Sequence, residues 1–144
     1  MIGIDMISKI LVPVDGSTHS DRALEYAVFL AKTCRASLGV VHVSCPPPIS
    51  FSDNERGSYL ESLKADANAI LTKAEKNAKA AGVAIEAISE LGHPAARILE
   101  VAGNRGSDLI VMGSRGMSGF KEAVLGSVSH SVSQHAKCAV LIVH

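Results

Sequence analysis

The stretch Asp108-Leu109-Ile110-Val111-Met112-Gly113-Ser114-Arg115-Gly116-Met117-Ser118-Gly119, followed after six intervening residues by Gly126-Ser127-Val128, decides how this chain is read. Leu109 to Met112 is too short for a helix and apolar throughout, as a strand buried on both faces must be. Gly113, Gly116 and Gly119 then remove the side chains that would hold a ligand off the backbone. Regular structure resumes at Gly126-Ser127, where free N–H groups and the helix dipole favour an anion. The stretch reads as a buried strand opening into a phosphate cradle.

Working outward, the same alternation recurs. Lys9-Ile10-Leu11-Val12-Pro13-Val14 is a first strand, with Pro13 tolerable only near its end. Asp15-Gly16-Ser17-Thr18 is turn chemistry. Ser17 or Thr18 can cap a helix in which Ala23, Leu24, Ala27, Val28, Leu30 and Ala31 recur at helical spacing. Ser37 to Val43 forms a second strand, and Pro46-Pro47-Pro48 then excludes both helix and ladder. The polar segment Ile49 to Gly57 reads as a surface loop able to cover a ligand. Ser58 and Glu61 form a capping box for a long helix carrying Leu60, Leu63, Ala67, Ile70, Leu71, Ala74 and Ala78 on one stripe, with Gly82 at its end. Val83 to Ile88 is a third strand, at an edge. Pro94 opens a helix that Gly103 and Gly106 close. Beyond the glycine stretch come a helix over about Ser127 to His135 and a final apolar run, Ala139 to Val143.

Strands alternating with helices across short links predict a single α/β domain with a doubly wound sheet and helices on both faces. In such sheets ligands bind beyond the carboxyl ends of the strands, where the winding reverses. That picks out the loop at Asp15-Gly16-Ser17 and the glycine stretch. The last run, if it lies at a sheet edge, exposes unpaired N–H and C=O groups. A homodimer joined through Ala139 to Val143 is expected.

Composition narrows the partners. Fourteen basic residues balance fourteen acidic ones, leaving no field to gather nucleic acid or an anionic membrane. Aromatic residues make up 3% of the chain and there is no Trp, which argues against stacking platforms. Cys34, Cys45 and Cys138 have neither metal-ligand nor C-x-x-C spacing, so a reducing cytoplasm is the expected compartment. No run approaches membrane-spanning length, and Met1 to Lys9 lacks the character of a signal peptide, so a soluble, unprocessed protein is expected.

These residues resemble the universal stress protein family, in particular its nucleotide-binding branch. The resemblance covers nearly the whole chain: Ile10 to Ser17, Gly92-His93-Pro94-Ala95, Asp108 to Gly116 and Cys138 to Val143. Its most specific element is the spacing Gly113-x2-Gly116-x9-Gly126-Ser127, which is similar to the G-2x-G-9x-G-(S/T) signature of ATP-binding members. The resemblance implies a Rossmann-like, adenine nucleotide alpha-hydrolase-like fold whose five parallel strands run in the order 3-2-1-4-5. It also implies ATP as ligand, a homodimer through the last strand, and a role in stress response or signalling. By the same resemblance Asp15 would hold the ribose hydroxyls, while Pro13, Val14 and Val41 would line the adenine. Met112, Gly113, Gly116, Gly126, Ser127 and Val128 would surround ribose and phosphates, and a Mg²⁺ ion would be held mainly by the phosphates.

Plainer readings stand beside these. The glycines can be turn residues, although the preceding strand, the following helix and their spacing favour the cradle. There is no G-x-x-x-x-G-K-(S/T), and no G-x-G-x-x-G follows the first strand. Asp15 can serve as a helix cap or in an Asx turn. Arg115 is either a phosphate contact or a solvated loop side chain, and Ser114 and Ser129 are either phosphate contacts or local polar groups. His93 reads as a helix cap in preference to a base, and His42 either reaches the ligand or fills an irregular core position, the second being favoured. No water-activating base stands beside the cradle, so binding is favoured over a slow ATPase. AMP or cyclic AMP binding and a nucleotide-free interaction dimer are the alternatives.

Overall fold

The computed structural model describes residues 6–116 and 125–144. Residues 117–124, and with them Gly119, lie outside the described residues. Among the described residues nine elements follow in alternation: β1 (Lys9–Pro13), α1 (Thr18–Cys34), β2 (Ser37–Ser44), α2 (Asp53–Ala80), β3 (Glu86–Leu91), α3 (Pro94–Arg105), β4 (Leu109–Gly113), α4 (Ser127–His135) and β5 (Ala139–Val143).

All strand pairings are parallel, and the sheet order is β3-β2-β1-β4-β5. The chain leaves β1 toward β2 and β3 on one side and returns through β4 and β5 on the other, so the winding reverses between β1 and β4. β3 and β5 are the edges. Because successive side chains on a strand face opposite ways, β1 feeds two cores. Ile10 and Val12 pack with Ala23, Leu24, Ala27 and Val28 of α1 and Leu71, Ala74 and Ala78 of α2. Leu11 packs on the other face with Ile98, Val101 and Ala102 of α3 and Val132 of α4. Each face of the sheet is thereby covered by two helices.

Asp108 joins the entrances of the two central strands. Its Oδ2 accepts from Ser8 N (2.9 Å), Ser8 Oγ (2.7 Å) and Lys9 N (2.8 Å), and these bonds hold its carboxyl below the usual carboxylate range.

Three elements differ from the sequence expectation. α2 starts at Asp53, not beyond Ser58. The capping box is Ser52 with Glu55: Ser52 Oγ accepts from Glu55 N at 3.2 Å, and Glu55 Oε2 accepts from Ser52 N at 3.3 Å. The segment expected as a covering loop is therefore largely the first turns of a helix, with Gly57 inside it and open space where its Cβ would be. β3 runs from Glu86 to Leu91, three residues later than expected. Val83 and Ile85 are apolar because they pack against the core under α2, not because they belong to the ladder. Gly103 lies within α3, which ends at Gly106 in the left-handed region, φ 65°.

Candidate functional site

A cavity of about 220 Å³ opens beyond the carboxyl ends of β1, β2 and β4, on the sheet face covered by α3 and α4. This volume suits a small molecule and not a folded segment. Its floor is apolar: Pro13 ends β1, Val41 pairs with it in β2, and Met112 comes from β4.

The β1–α1 turn supplies the first polar group. Gly16 takes φ 84°, which an L side chain rarely adopts, and this turns the chain sharply after Asp15. Asp15 Oδ1 accepts from Ser17 N at 2.9 Å, closing an Asx turn, and Ser17 Oγ in turn caps α1 by accepting from Ser20 N at 3.2 Å. The Asx-turn reading of Asp15 therefore holds for one oxygen. The other, Oδ2, stands close against Gly116 at the cavity wall: a Cβ there would lie 2.5 Å from it.

The glycines divide by role. Gly116 keeps clear the space in front of the Asp15 carboxylate. Gly113 also lines the cavity, but a Cβ on it would meet His19 Cβ at 2.8 Å and the His19 backbone carbon at 2.9 Å. The packing of α1 on β4 thus demands glycine at Gly113 whether or not a ligand is present. Gly126 is the N-cap of α4 and offers no side chain to it, so the first N–H groups of Ser127 and Val128, which line the cavity, have no capping side chain.

Of the residues singled out from sequence, Pro13, Val14, Asp15, Val41, Met112, Gly113, Arg115, Gly116, Gly126, Ser127 and Val128 all border this cavity. Ser114 does not. It is 2% exposed, its hydroxyl has no hydrogen-bond partner, and its carbonyl anchors α4 by accepting from Gly126 N at 2.7 Å. Val14 packs its side chain into the opposite core, against α1 and α2. Its N–H donates to Val41 O at 2.8 Å, and its carbonyl accepts at 2.8 Å from His42 Nδ1, which must carry the proton because a carbonyl only accepts. His42 thus fixes backbone at the exit of β1 instead of filling the core. His93 occupies the N-cap of α3 but makes no side-chain cap bond.

Ser20, Val43, Pro94, Ile98 and Ser129 also line the cavity. Val43 was recoverable from period two, since it shares a strand face with Val41. Pro94 and Ile98, four apart on one face of α3, enter only because α3 folds over the sheet beside α4. The cavity's ionisable lining among the described residues is Asp15 and Arg115. Outside it, burial pushes the Cys138 thiol up, the direction opposite to a reactive thiolate. No group of three or more His, Cys, Asp or Glu among the described residues is arranged to hold a metal ion, and no helix among them is long and apolar enough to cross a membrane.

Comparison with known proteins agrees with this architecture. Residues 6–144 match the model of the universal stress protein family. The universal stress protein YxiE of Bacillus subtilis (strain 168) is 42% identical over 147 residues, covering 96% of this chain and 99% of that protein. The structure of universal stress protein UspA from Lactobacillus plantarum superposes with a TM-score of 0.87 at 25% identity, over 95% of this chain and 97% of that one. A universal stress protein solved in complex with cAMP is 32% identical, with a TM-score of 0.73 over 95% of this chain and 97% of that one. With a family model spanning nearly its whole length, a relative 42% identical and of matching size, and a shared fold, the chain belongs to the universal stress protein family.

Proposed function

We propose that this universal stress protein binds ATP in the cavity at the β1–β4 switch point and acts in the cytoplasm as a nucleotide-dependent stress-response or signalling module. The observation that carries the reading is the pair at the cavity: a carboxylate oxygen with no hydrogen-bond partner among the described residues, Asp15 Oδ2, against Gly116, beside a helix amino terminus with no side-chain cap at Gly126. A carboxylate oxygen accepts from a ribose hydroxyl, and uncapped N–H groups donate to phosphate. Pro13, Val41 and Met112 then offer an apolar surface to the base, with Val43 and Ile98 extending it. The residues fit the ligand in one further respect, because a side chain at Gly116 would fill the space in front of Asp15.

Bound ATP would supply the phosphates, and with them most of the ligands for a Mg²⁺ ion, since Asp15 is the single carboxylate among the described residues lining the cavity. Asp15 holds one oxygen on the Ser17 N–H, and its other oxygen would accept from a ribose hydroxyl, a role in binding. The chain works as a homodimer joined through Ala139 to Val143, whose strand is a sheet edge.

A second reading is a preference for cyclic AMP or AMP, favoured by the relative solved with cAMP. Mass spectrometry of the small molecule released when freshly purified protein is denatured separates the two, followed by calorimetry with ATP, AMP and cyclic AMP. Recovery of ATP and its tighter binding support the proposal. Cyclic AMP as the tightest ligand replaces it with the second reading, and phosphate release on turnover would make the protein an enzyme.

A further inference from the structure

Ser129, the third residue of α4, lines the cavity and yet is only 2% exposed. Its hydroxyl carries one proton, and that proton is already engaged. Ser129 Oγ donates to the Ser114 carbonyl at 2.8 Å, with the Gly126 carbonyl at 3.1 Å as a second acceptor. The Ser114 carbonyl also accepts from Gly126 N at 2.7 Å, so the N-cap and the first turn of α4 are tied to one oxygen. Ser114 N donates in turn to Val143 O at 2.8 Å, which fastens the same residue to the end of β5.

We infer that Ser129 is a positioning residue for the phosphate end of the cavity, its hydroxyl latching the amino terminus of α4 onto the exit of β4. This rests on the reading of the cavity as a nucleotide site. The alternative, that the hydroxyl itself donates to phosphate, would cost it the Ser114 bond, because what remains of a committed hydroxyl is lone pairs, and lone pairs repel an anionic oxygen. α1 and α2 each carry a serine at the N-cap, Ser17 and Ser52, whose oxygen accepts from the first turn. α4 has glycine there, and its alignment comes instead from a serine one turn inward that donates outward to the neighbouring strand exit. The arrangement holds the helix end in place while leaving the N–H groups of Ser127 and Val128 uncapped. Their usefulness to a phosphate depends on the angle of that first turn, which the latch sets. The base and ribose contacts, on Pro13, Val41 and Asp15, do not depend on it.

The test compares wild type with Ser129→Ala, a substitution that removes one oxygen and adds no bulk. Two readouts are taken: calorimetry with ATP and with adenosine, and amide hydrogen exchange at Gly126 in ligand-free protein. The expected result is an ATP affinity about tenfold weaker, the scale of one neutral hydrogen bond, with adenosine affinity unchanged. Exchange at Gly126 is expected to be faster by a similar factor, while amides of β1 and β4 keep their rates. Unchanged exchange at Gly126 overturns the latch, with or without a ligand. Equal losses for ATP and adenosine overturn a role confined to the phosphate end. If wild type binds neither compound, the nucleotide reading has failed, and the exchange measurement still decides whether Ser129 holds α4.

Discussion

Asp15 and Gly116 meet across the seam between β1 and β4 so closely that a methyl group on Gly116 would sit 2.5 Å from Asp15 Oδ2. The carboxylate can yield only by leaving its present rotamer and giving up the bond that Ser17 N donates to its other oxygen. Gly116→Ala is therefore expected to leave the fold intact and turn the carboxylate aside, weakening ATP binding by about tenfold or more, the loss of a charged acceptor. Calorimetry on the folded variant checks this, and undiminished affinity would remove Asp15 from the site.

Gly113→Ala should behave differently. Its Cβ would press on the backbone of His19, which belongs to a packed helix, so the strain falls on the fold. A loss of about 1–3 kcal/mol is expected in denaturant unfolding. A midpoint equal to wild type would show that α1 moves freely on β4.

At Gly126 the two obvious substitutions should separate. A Cβ there meets Ser114 O at 3.4 Å and Arg115 Cα at 3.5 Å, ordinary contact, so Gly126→Ala should fold and keep most of its affinity. The branched Gly126→Val places further methyl groups beside the uncapped helix end and should abolish phosphate binding. Equal ATP affinities in the two variants would mean that the phosphates lie elsewhere.

The acid limb of stability should carry the signature of Asp108. Its folded carboxyl is held low, first by the Ser8 hydroxyl and then by the Ser8 and Lys9 N–H groups. A depressed carboxylate stabilises the fold fully above its unfolded value of about 3.9, and that contribution is lost as pH falls through the lower folded value. Asp108→Asn should therefore flatten the pH dependence below about pH 4 and cost roughly 1 kcal/mol at neutral pH, a modest figure because the site is partly solvated. Parallel acid unfolding curves for variant and wild type would contradict the assignment.

The edge position of β5 leads to a measurement of mass. Ala139 is exposed and Val140, Leu141 and Ile142 are half-buried, so the strand presents apolar surface and an open ladder together. Sedimentation at micromolar concentration should give twice the chain mass. A clean monomer would sink the proposed assembly.

The four helices, the doubly wound sheet and the location of the cavity were legible because each rests on a local pattern or on a general rule of winding, whereas the strand order came only with the family resemblance. What was misread rests on competition between equivalent local signals. Ser52-Asp53-Asn54-Glu55 and Ser58-Tyr59-Leu60-Glu61 both fit the capping-box pattern, and the apolar stripe begins at the second. The helix nevertheless starts at the first, tolerating an exposed Gly57 at a cost of about 1 kcal/mol relative to Ala. Val83 and Ile85 looked like strand because burial and ladder pairing leave the same apolar trace. Pro94 and Ile98 were legible as helix but not as cavity wall, since nothing local tells a helix which loop it will cover. The reason for glycine at Gly113 was likewise hidden, because His19 lies far from it in the chain.

The cavity draws its walls from Pro13 at one extreme and Ser129 at the other, with Val41 and Ile98 between them. No contiguous half of the chain contains it, and it exists only once β1 and β4 lie side by side. A molecule that fills it therefore recognises the finished sheet and nothing less. Its binding free energy is added to the whole unfolding transition, by RT ln(1 + [L]/Kd). Occupancy then reports on the integrity of the protein as a whole, and under the proposed nucleotide reading a cell depleted of that ligand would hold the same chain in a less stable form.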